Sequence, residues 1–389
     1  MKILAIETSC DETAISILEF SQKEEKTSVK ILSNIIRSQI ELHKEFGGVY
    51  PNLAKREHAK NLPTIFIENL KSANLFNEEN KEMSLEQKNH LHELLSHEAG
   101  LAEKIIEIGE TISKPDLDYI AVTTGPGLEP ALWVGINFAK ALNAIFDIPV
   151  IGVNHMEGHI LSTLIDSRSR EIQEINLNDL KFPMLALLVS GGHTELVLIK
   201  NWMQYEKIGA TKDDALGEAF DKVARLLGLS YPGGPEISRL AKEGQLNEGM
   251  KLPRPMIDSK DYNFSFSGIK TAVLYLVKKI GNLTEQNKKD IAKEFETAVS
   301  EVVVEKTKDA IEEFAVETLI VGGGVSANVF LQESLKKMIA EFSPQTKLLL
   351  PDSHLSGDNS IMIALAGFFN LKSAKEKPQD LKAQSNWSL

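Results

Sequence analysis

The chain has 389 residues, 42% hydrophobic and 25% charged, enough for two lobes that each bury a proper core. Its formal net charge of -12 excludes broad, charge-driven binding to nucleic acid, so a nucleic-acid substrate would have to meet a local basic patch or be held by a partner. The single cysteine, Cys10, excludes an internal disulfide and fits a reducing compartment. No apolar run approaches membrane-span length, and the N-terminal one is soon broken by Glu7, Asp11 and Glu12, unlike a signal peptide. A cytoplasmic protein with no membrane contact is expected.

From the N-terminus, Ile3 to Thr8 reads as a strand, followed by a tight polar turn and a second strand from Thr13 to Leu18. Asp11 and Glu12 in that turn have two readings: an ordinary polar hairpin turn, or carboxylates placed to accept a proton. The stretch from Asn74 to Ile112 is polar, acidic and helix-prone; His90, His92 and His97 share no face there, and a surface insertion is expected. Tyr119 to Thr123 reads as a strand, Pro130 to Phe146 as a helix with an apolar face, and Val150 to Val153 as a buried strand.

The most informative segment comes next: Asn154-His155-Met156-Glu157-Gly158-His159. Asn154 is a good N-cap, so the two histidines open a helix one turn apart on one face, close enough to share a metal ion. Neutral imidazole suits zinc or iron, and an open site needs a third ligand from elsewhere. Glu157 stands two residues after His155, not next to it, which is not the spacing of His-Glu-x-x-His metallopeptidases.

The second half repeats the first. The offset that lays Leu4 to Ser9 over Leu185 to Ser190 also pairs Thr13 with Thr194 without a gap, and Met184 to Val189 and Thr194 to Ile199 again read as strand, turn, strand. Later elements keep the order: strand Thr318 to Val321, helix Ala327 to Ile339, strand Lys347 to Leu350, and a helix opening near Asp358. Two halves of this kind imply a duplicated α/β fold with a cleft between lobes spanning residues 1–182 and 183–389. The first lobe carries the insertion at 74–112; the second ends in a helix near 357–371 and a loosely ordered polar tail. Asp358 follows its last strand as His155 follows the corresponding one, which makes it both an N-cap and a candidate third metal ligand.

Other motifs are weaker alone. Ser190-Gly191-Gly192-His193 and Gly322-Gly323-Gly324-Val325-Ser326-Ala327-Asn328 follow buried strands and offer backbone amides to an anion, or are tight turns only. Tyr231-Pro232-Gly233-Gly234-Pro235 is a further turn that backbone could bring close to a ligand. Asp221 and Lys222 lie in a helix-prone run and read equally as solvated charges. Asp290 to Val316 is a long amphipathic packing helix. Lys251 to Lys270 mixes Lys251, Arg254, Lys260 and Lys270 with Tyr262, Phe264 and Phe266, which suits RNA phosphates and bases; a loop with a buried aromatic edge fits as well.

Together these segments resemble the TsaD family of tRNA threonylcarbamoyladenosine transferases, once labelled O-sialoglycoprotein endopeptidases. The resemblance rests on Glu7 to Thr13, Gly125-Pro126-Gly127-Leu128, Asn154 to His159, Leu188 to Thr194, Gly217 to Lys222, Tyr231 to Pro235, Phe264 to Lys270, Gly323 to Asn328 and Asp358-Asn359, in family order. Glu129-Pro130-Ala131, Lys55 and the acidic insertion depart from the family pattern but remove no proposed ligand.

The resemblance implies two ribonuclease-H-like lobes of the actin, hexokinase and Hsp70 ATPase fold. It implies one metal ion, iron(II) first and zinc as the alternative, on His155, His159 and Asp358. It places the adenylate substrate on Leu188, Val189, Ser190, Gly191, Gly192, Asp221, Gly234 and Asn328, and leaves open whether ATP also binds. The implied reaction moves a threonylcarbamoyl group from threonylcarbamoyl-AMP to N6 of the adenosine beside the anticodon in tRNAs reading codons that begin with A. Asp11 or Glu12 would take the amine proton, and the implied partners are tRNA, a paralogous subunit of the same fold and a small ATPase. A small-molecule kinase of this fold has no use for paired histidines, and a non-catalytic partner protein would not keep the ligands.

Overall fold

The computed structural model describes residues 1–23, 26–166, 169, 171–375 and 378–389. The chain forms two compact units. The first comprises Met1–Glu41, Val49–Asn178 and Asp358–Ser388; the second comprises Leu42–Gly48, Asp179–Gly357 and Leu389.

In the first unit, β1 (Lys2–Glu7), β2 (Glu12–Lys23), β3 (Lys26–Ser38), β4 (Tyr119–Gly125), β5 (Val150–Asn154) and β6 (Gln173–Asn176) form one sheet in the order β5-β4-β1-β2-β3-β6. The first three strands are an antiparallel meander; β4 runs parallel to β1 and β5 parallel to β4. Parallel neighbours need a crossover, supplied between β4 and β5 by the helix Glu129–Phe146. The central strands are apolar throughout because helices cover both faces: Ile3, Leu4, Ala5 and Ile6 are wholly buried.

The second unit repeats this plan. β7 (Met184–Val189), β8 (Thr194–Asn201), β9 (Gln204–Ala210), β10 (Thr318–Gly322) and β11 (Lys347–Leu349) lie in the order β11-β10-β7-β8-β9, with Val329–Phe342 as the crossover helix. The hairpin registers coincide under the offset found in the sequence: Glu7 faces Ala14 and Ile6 faces Ile15, while Leu188 faces Glu195 and Leu187 faces Leu196. The fold is therefore a duplicated ribonuclease-H-like α/β architecture of the actin-like ATPase class. Among the described residues no helix is long and apolar enough to cross a membrane.

Three expectations are corrected. The units do not divide at 182/183: the second takes in Leu42–Gly48 and begins again at Asp179, and residues 358–388 belong to the first. The cause is the helix Ser360–Phe369, Ser-Ile-Met-Ile-Ala-Leu-Ala-Gly-Phe-Phe, which is apolar nearly all round and has to be buried on every side. Phe368 stacks on Phe20 with ring centroids 4.5 Å apart, and a Cβ at Gly367 would stand 2.6 Å from that of Ala121. The tail, expected to be loose, is docked: the Gln384 amide donates to the Thr124 carbonyl at 2.7 Å, and a Cβ at Gly125 would sit 2.0 Å from the Gln384 oxygen. The insertion is not mere surface either. Its helices Leu85–Leu94 and Leu101–Thr111 send Leu91, Leu101, Ile105 and Ile108 into the core that holds Phe66 and Phe138.

Candidate metal centre and ligand turns

β5 ends at Asn154, whose side-chain oxygen accepts the amides of Met156 and Glu157 at 2.8 and 3.2 Å and starts the helix His155–Leu161. Every residue of that helix is buried. Nε2 of His155 and Nε2 of His159 each lie 3.3 Å from Oδ1 of Asp358. One ligand atom from each residue can be chosen so that all three lie within 4.8 Å of one another. Ligands at roughly 2.1 Å from one ion stand about 3.0–3.4 Å apart, so this spacing fits a metal. A second observation agrees: neither ring nitrogen of the buried His159 has a hydrogen-bond partner among the described residues. An imidazole buried without such a partner suits a metal ligand.

Asp358 was expected to cap its own helix. Asn359 does so instead, accepting the Met362 amide at 3.0 Å, which leaves the Asp358 carboxylate to the histidines. Burial acts against charge on His155, but Asp358 and Glu7 outweigh it and push the imidazole up to about 10. Burial holds His159 below its usual value, and the two imidazoles hold Asp358 well below the carboxylate range despite burial.

Glu7, unremarked in the sequence beyond its motif, lies behind His155. It is wholly buried; its carboxylate accepts the Ser9 amide, the Thr123 hydroxyl and, at 3.1 Å, Nδ1 of His155. A carboxylate closing an otherwise apolar strand was the available signal. The turn after it carries Asp11, which is buried, and Glu12, whose carboxyl accepts the Ser38 hydroxyl at 3.1 Å. Burial, with Asp11 and Asp358 nearby, pushes the Glu12 carboxyl well up; burial and Asp11 do the same to the Cys10 thiol. His58 pins this turn from the helix Pro51–Ser72, with Nε2 3.0 Å from the Cys10 carbonyl and Nδ1 2.8 Å from the Thr13 hydroxyl.

The glycine turns cluster in the second unit. Between β7 and β8 the Ser190 amide donates to His193 O at 2.8 Å, and Gly191 and Gly192 face open space where a Cβ would meet nothing within 4 Å. Gly217 packs on this turn so tightly that its Cβ would stand 2.7 Å from Ser190 O. Asp221 Oδ1 accepts the Gly233 amide at 2.7 Å and fixes the next turn, where Gly234 is open as well. Two expectations narrow here. The side chains of Leu188 and Val189 are wholly buried, so only their main chain is available to a ligand. Asn328 caps the helix Val329–Phe342 through Leu331 N, and its Nδ2 donates to Ser238 and Glu296 at 3.0 and 2.9 Å.

Of the two readings of 251–270, the loop with a buried aromatic edge is the one seen: Phe264 and Phe266 are wholly buried, and Arg254 is bound to Glu294 and Glu301, so neither ring and no free guanidinium is on offer there. Asp213 holds the turn instead, accepting Phe266 N at 2.8 Å and the hydroxyls of Ser265 and Ser267 at 2.6 Å.

A family model described as tRNA N6-adenosine threonylcarbamoyltransferase, TsaD, matches residues 30–81 and 87–365. The chain belongs to the TsaD family. A relative of that name from Thermosipho africanus is 42% identical over 389 residues, covering 100% of both chains. One from Persephonella marina is 41% identical over 375 residues, 96% of this chain and 91% of its own. Among solved structures, full-length HypF in its phosphate- and nucleotide-bound form aligns with 95% of this chain and 46% of its own at 15% identity and a TM-score of 0.49, too distant to bear on function. This TsaD-family chain spans the full length of its Thermosipho relative.

Proposed function

We propose that this chain modifies tRNA by transferring the threonylcarbamoyl group of threonylcarbamoyl-AMP to N6 of the adenosine next to the anticodon, in tRNAs that read codons beginning with A. The observation that carries the reading is the ligand set His155, His159 and Asp358, together with relatives of that name aligned end to end.

The substrate is a mixed anhydride with a good leaving group, so the task is to aim a weakly nucleophilic amine at its carbonyl and keep water away. N6 attacks the carbamoyl carbon, the bond from that carbon to the phosphate oxygen breaks, and AMP leaves. The amine proton passes to the Asp11–Glu12 turn, where burial, with Asp11 and Asp358 nearby, pushes the Glu12 carboxyl up. The turn at Gly191 and Gly192 and the turn at Gly234 stand open and give the adenylate a close backbone approach. His155, His159 and Asp358 would hold iron(II) or zinc, which when bound would supply Lewis-acid polarisation of a substrate oxygen. The acidic chain needs help with a polyanion, and the family resemblance suggests a same-fold partner subunit and a small ATPase for it, in a cytoplasmic assembly.

The test supplies synthetic threonylcarbamoyl-AMP, tRNA of this decoding class and the partner proteins, with and without this chain. Digestion and mass spectrometry should find N6-threonylcarbamoyladenosine only when the chain is present; its absence in the complete mixture overturns the reading.

A further inference from the structure

We infer that Glu7 is the positioning residue of the metal centre, fixing the tautomer and orientation of His155 so that Nε2 is presented as the ligand atom; this rests on the metal reading above. Glu7 closes β1, is wholly buried, and receives three donors on two oxygens: the Ser9 amide, the Thr123 hydroxyl and Nδ1 of His155. The Ser9 amide and the Thr123 hydroxyl hold the Glu7 carboxylate in place, and a carboxylate oxygen facing a ring nitrogen accepts the hydrogen that nitrogen carries in one tautomer. Nδ1 of His155 thus keeps its hydrogen and donates it to Glu7, with Ser9 Oγ 3.2 Å from the same nitrogen. Once a metal ion displaces the other ring proton, the lone pair is left on Nε2, the atom 3.3 Å from Asp358.

Carboxylate, histidine and metal in that order raise the basicity of the ligand and hold its ring still. The other histidine is built differently: Nδ1 of His159 is buried with no partner among the described residues. Its ring is held by packing and by Asp358 beside Nε2, so the hydrogen-bonded support at Nδ1 is concentrated on His155. Replacement by glutamine shows why a carboxylate is needed. The amide has one acceptor oxygen, so its NH2 would face a donor now satisfied by Glu7.

Cobalt(II) binding, read from its d–d absorption and by competition with a chelator, tests the inference without turnover. The unaltered chain should bind one ion, and Glu7→Gln, with unchanged far-UV circular dichroism, should bind it about 10- to 100-fold more weakly. If the unaltered chain binds no cobalt, the metal reading itself falls and this inference with it. If it binds one ion and folded Glu7→Gln binds as tightly with the same spectrum, the metal reading stands and the role of Glu7 is overturned. Should the variant not fold, long-range 1H–15N spectra of the zinc-loaded unaltered chain decide. A hydrogen on Nδ1 of His155 supports the inference, and a hydrogen on Nε2 overturns it.

Discussion

The side chain of Asn359 accepts the backbone amide of Met362 at 3.0 Å and so takes the capping role beside a residue that needs its own carboxylate elsewhere. Capping and metal binding are thereby divided between neighbours and can be separated by mutation. Asn359→Ala should lower unfolding stability by about 1 kcal/mol, read by urea titration. Asp358→Asn leaves the cap in place and should abolish stoichiometric metal binding, read by elemental analysis.

Metal binding should release a proton. In the metal-free chain His155 stays protonated until about pH 10, and an ion that takes Nε2 must displace that proton. Apparent zinc affinity should therefore rise about tenfold per pH unit between pH 6 and 8, which calorimetry in buffers of different ionisation enthalpy resolves. A flat profile would mean that His155 is already neutral.

The same groups set the stability of the metal-free chain. His155 is raised from 6.5 to about 10, so its contribution is fully present below pH 6.5 and is lost as pH rises through about 10. Asp358 is lowered from 3.8, so its contribution is present above that value and disappears as pH falls below it. Calorimetric scans of chelator-treated protein should show Tm declining from pH 7 to pH 10, a decline that metal-loaded protein lacks.

Adjacent glycines should respond in opposite ways. A Cβ at Gly233 would stand 2.6 Å from that of Ala224 and 2.8 Å from Phe220 O, whereas one at Gly234 meets nothing within 4 Å. Gly233→Val should lower Tm by several degrees, the result of on the order of 1–3 kcal/mol of overpacking. Gly234→Leu should melt like the parent and lose calorimetric binding of a non-hydrolysable threonylcarbamoyl-adenylate.

Much of this was legible in the sequence because it depends on local rules. The histidine helix follows from an N-cap and a four-residue spacing, and the duplication from a strand-turn-strand pattern that recurs in register. What was not legible depends on tertiary partners. β3 carries polar residues on a half-exposed face, and β9 mixes Glu206 and Lys207 into a short edge strand, so neither shows a clean apolar run. Asp290 to Val316 marked the long helix, which begins earlier, at Glu285, because Thr284 and Asn287 form a capping box. Periodicity cannot tell which sheet an apolar helix covers, which is why Ser360–Phe369 was assigned to the wrong unit. The Arg254 guanidinium looked available only because its partners Glu294 and Glu301 lie far along the chain.

Arg254 gives a matching prediction. Its guanidinium also donates to the Leu252 carbonyl at 2.7 Å, and Glu294 accepts the Leu252 amide at 2.9 Å. Arg254→Ala should cost on the order of 2–3 kcal/mol in denaturant unfolding, since it strands a buried carboxylate. The tRNA affinity of the fraction that remains folded should not change in filter binding.

The measurement closest to the central claim is the yield of N6-threonylcarbamoyladenosine per tRNA, by mass spectrometry, for the unaltered chain and for His159→Ala in the same complete mixture. Nδ1 of His159 has no hydrogen-bond partner among the described residues, and Asp358 beside its Nε2 keeps His155 as a partner, so the variant should fold. The account predicts near-stoichiometric modification by the unaltered chain and product reduced at least about 100-fold in a folded, metal-free His159→Ala. Equal yields from the two proteins, with metal absent from the variant, would contradict it.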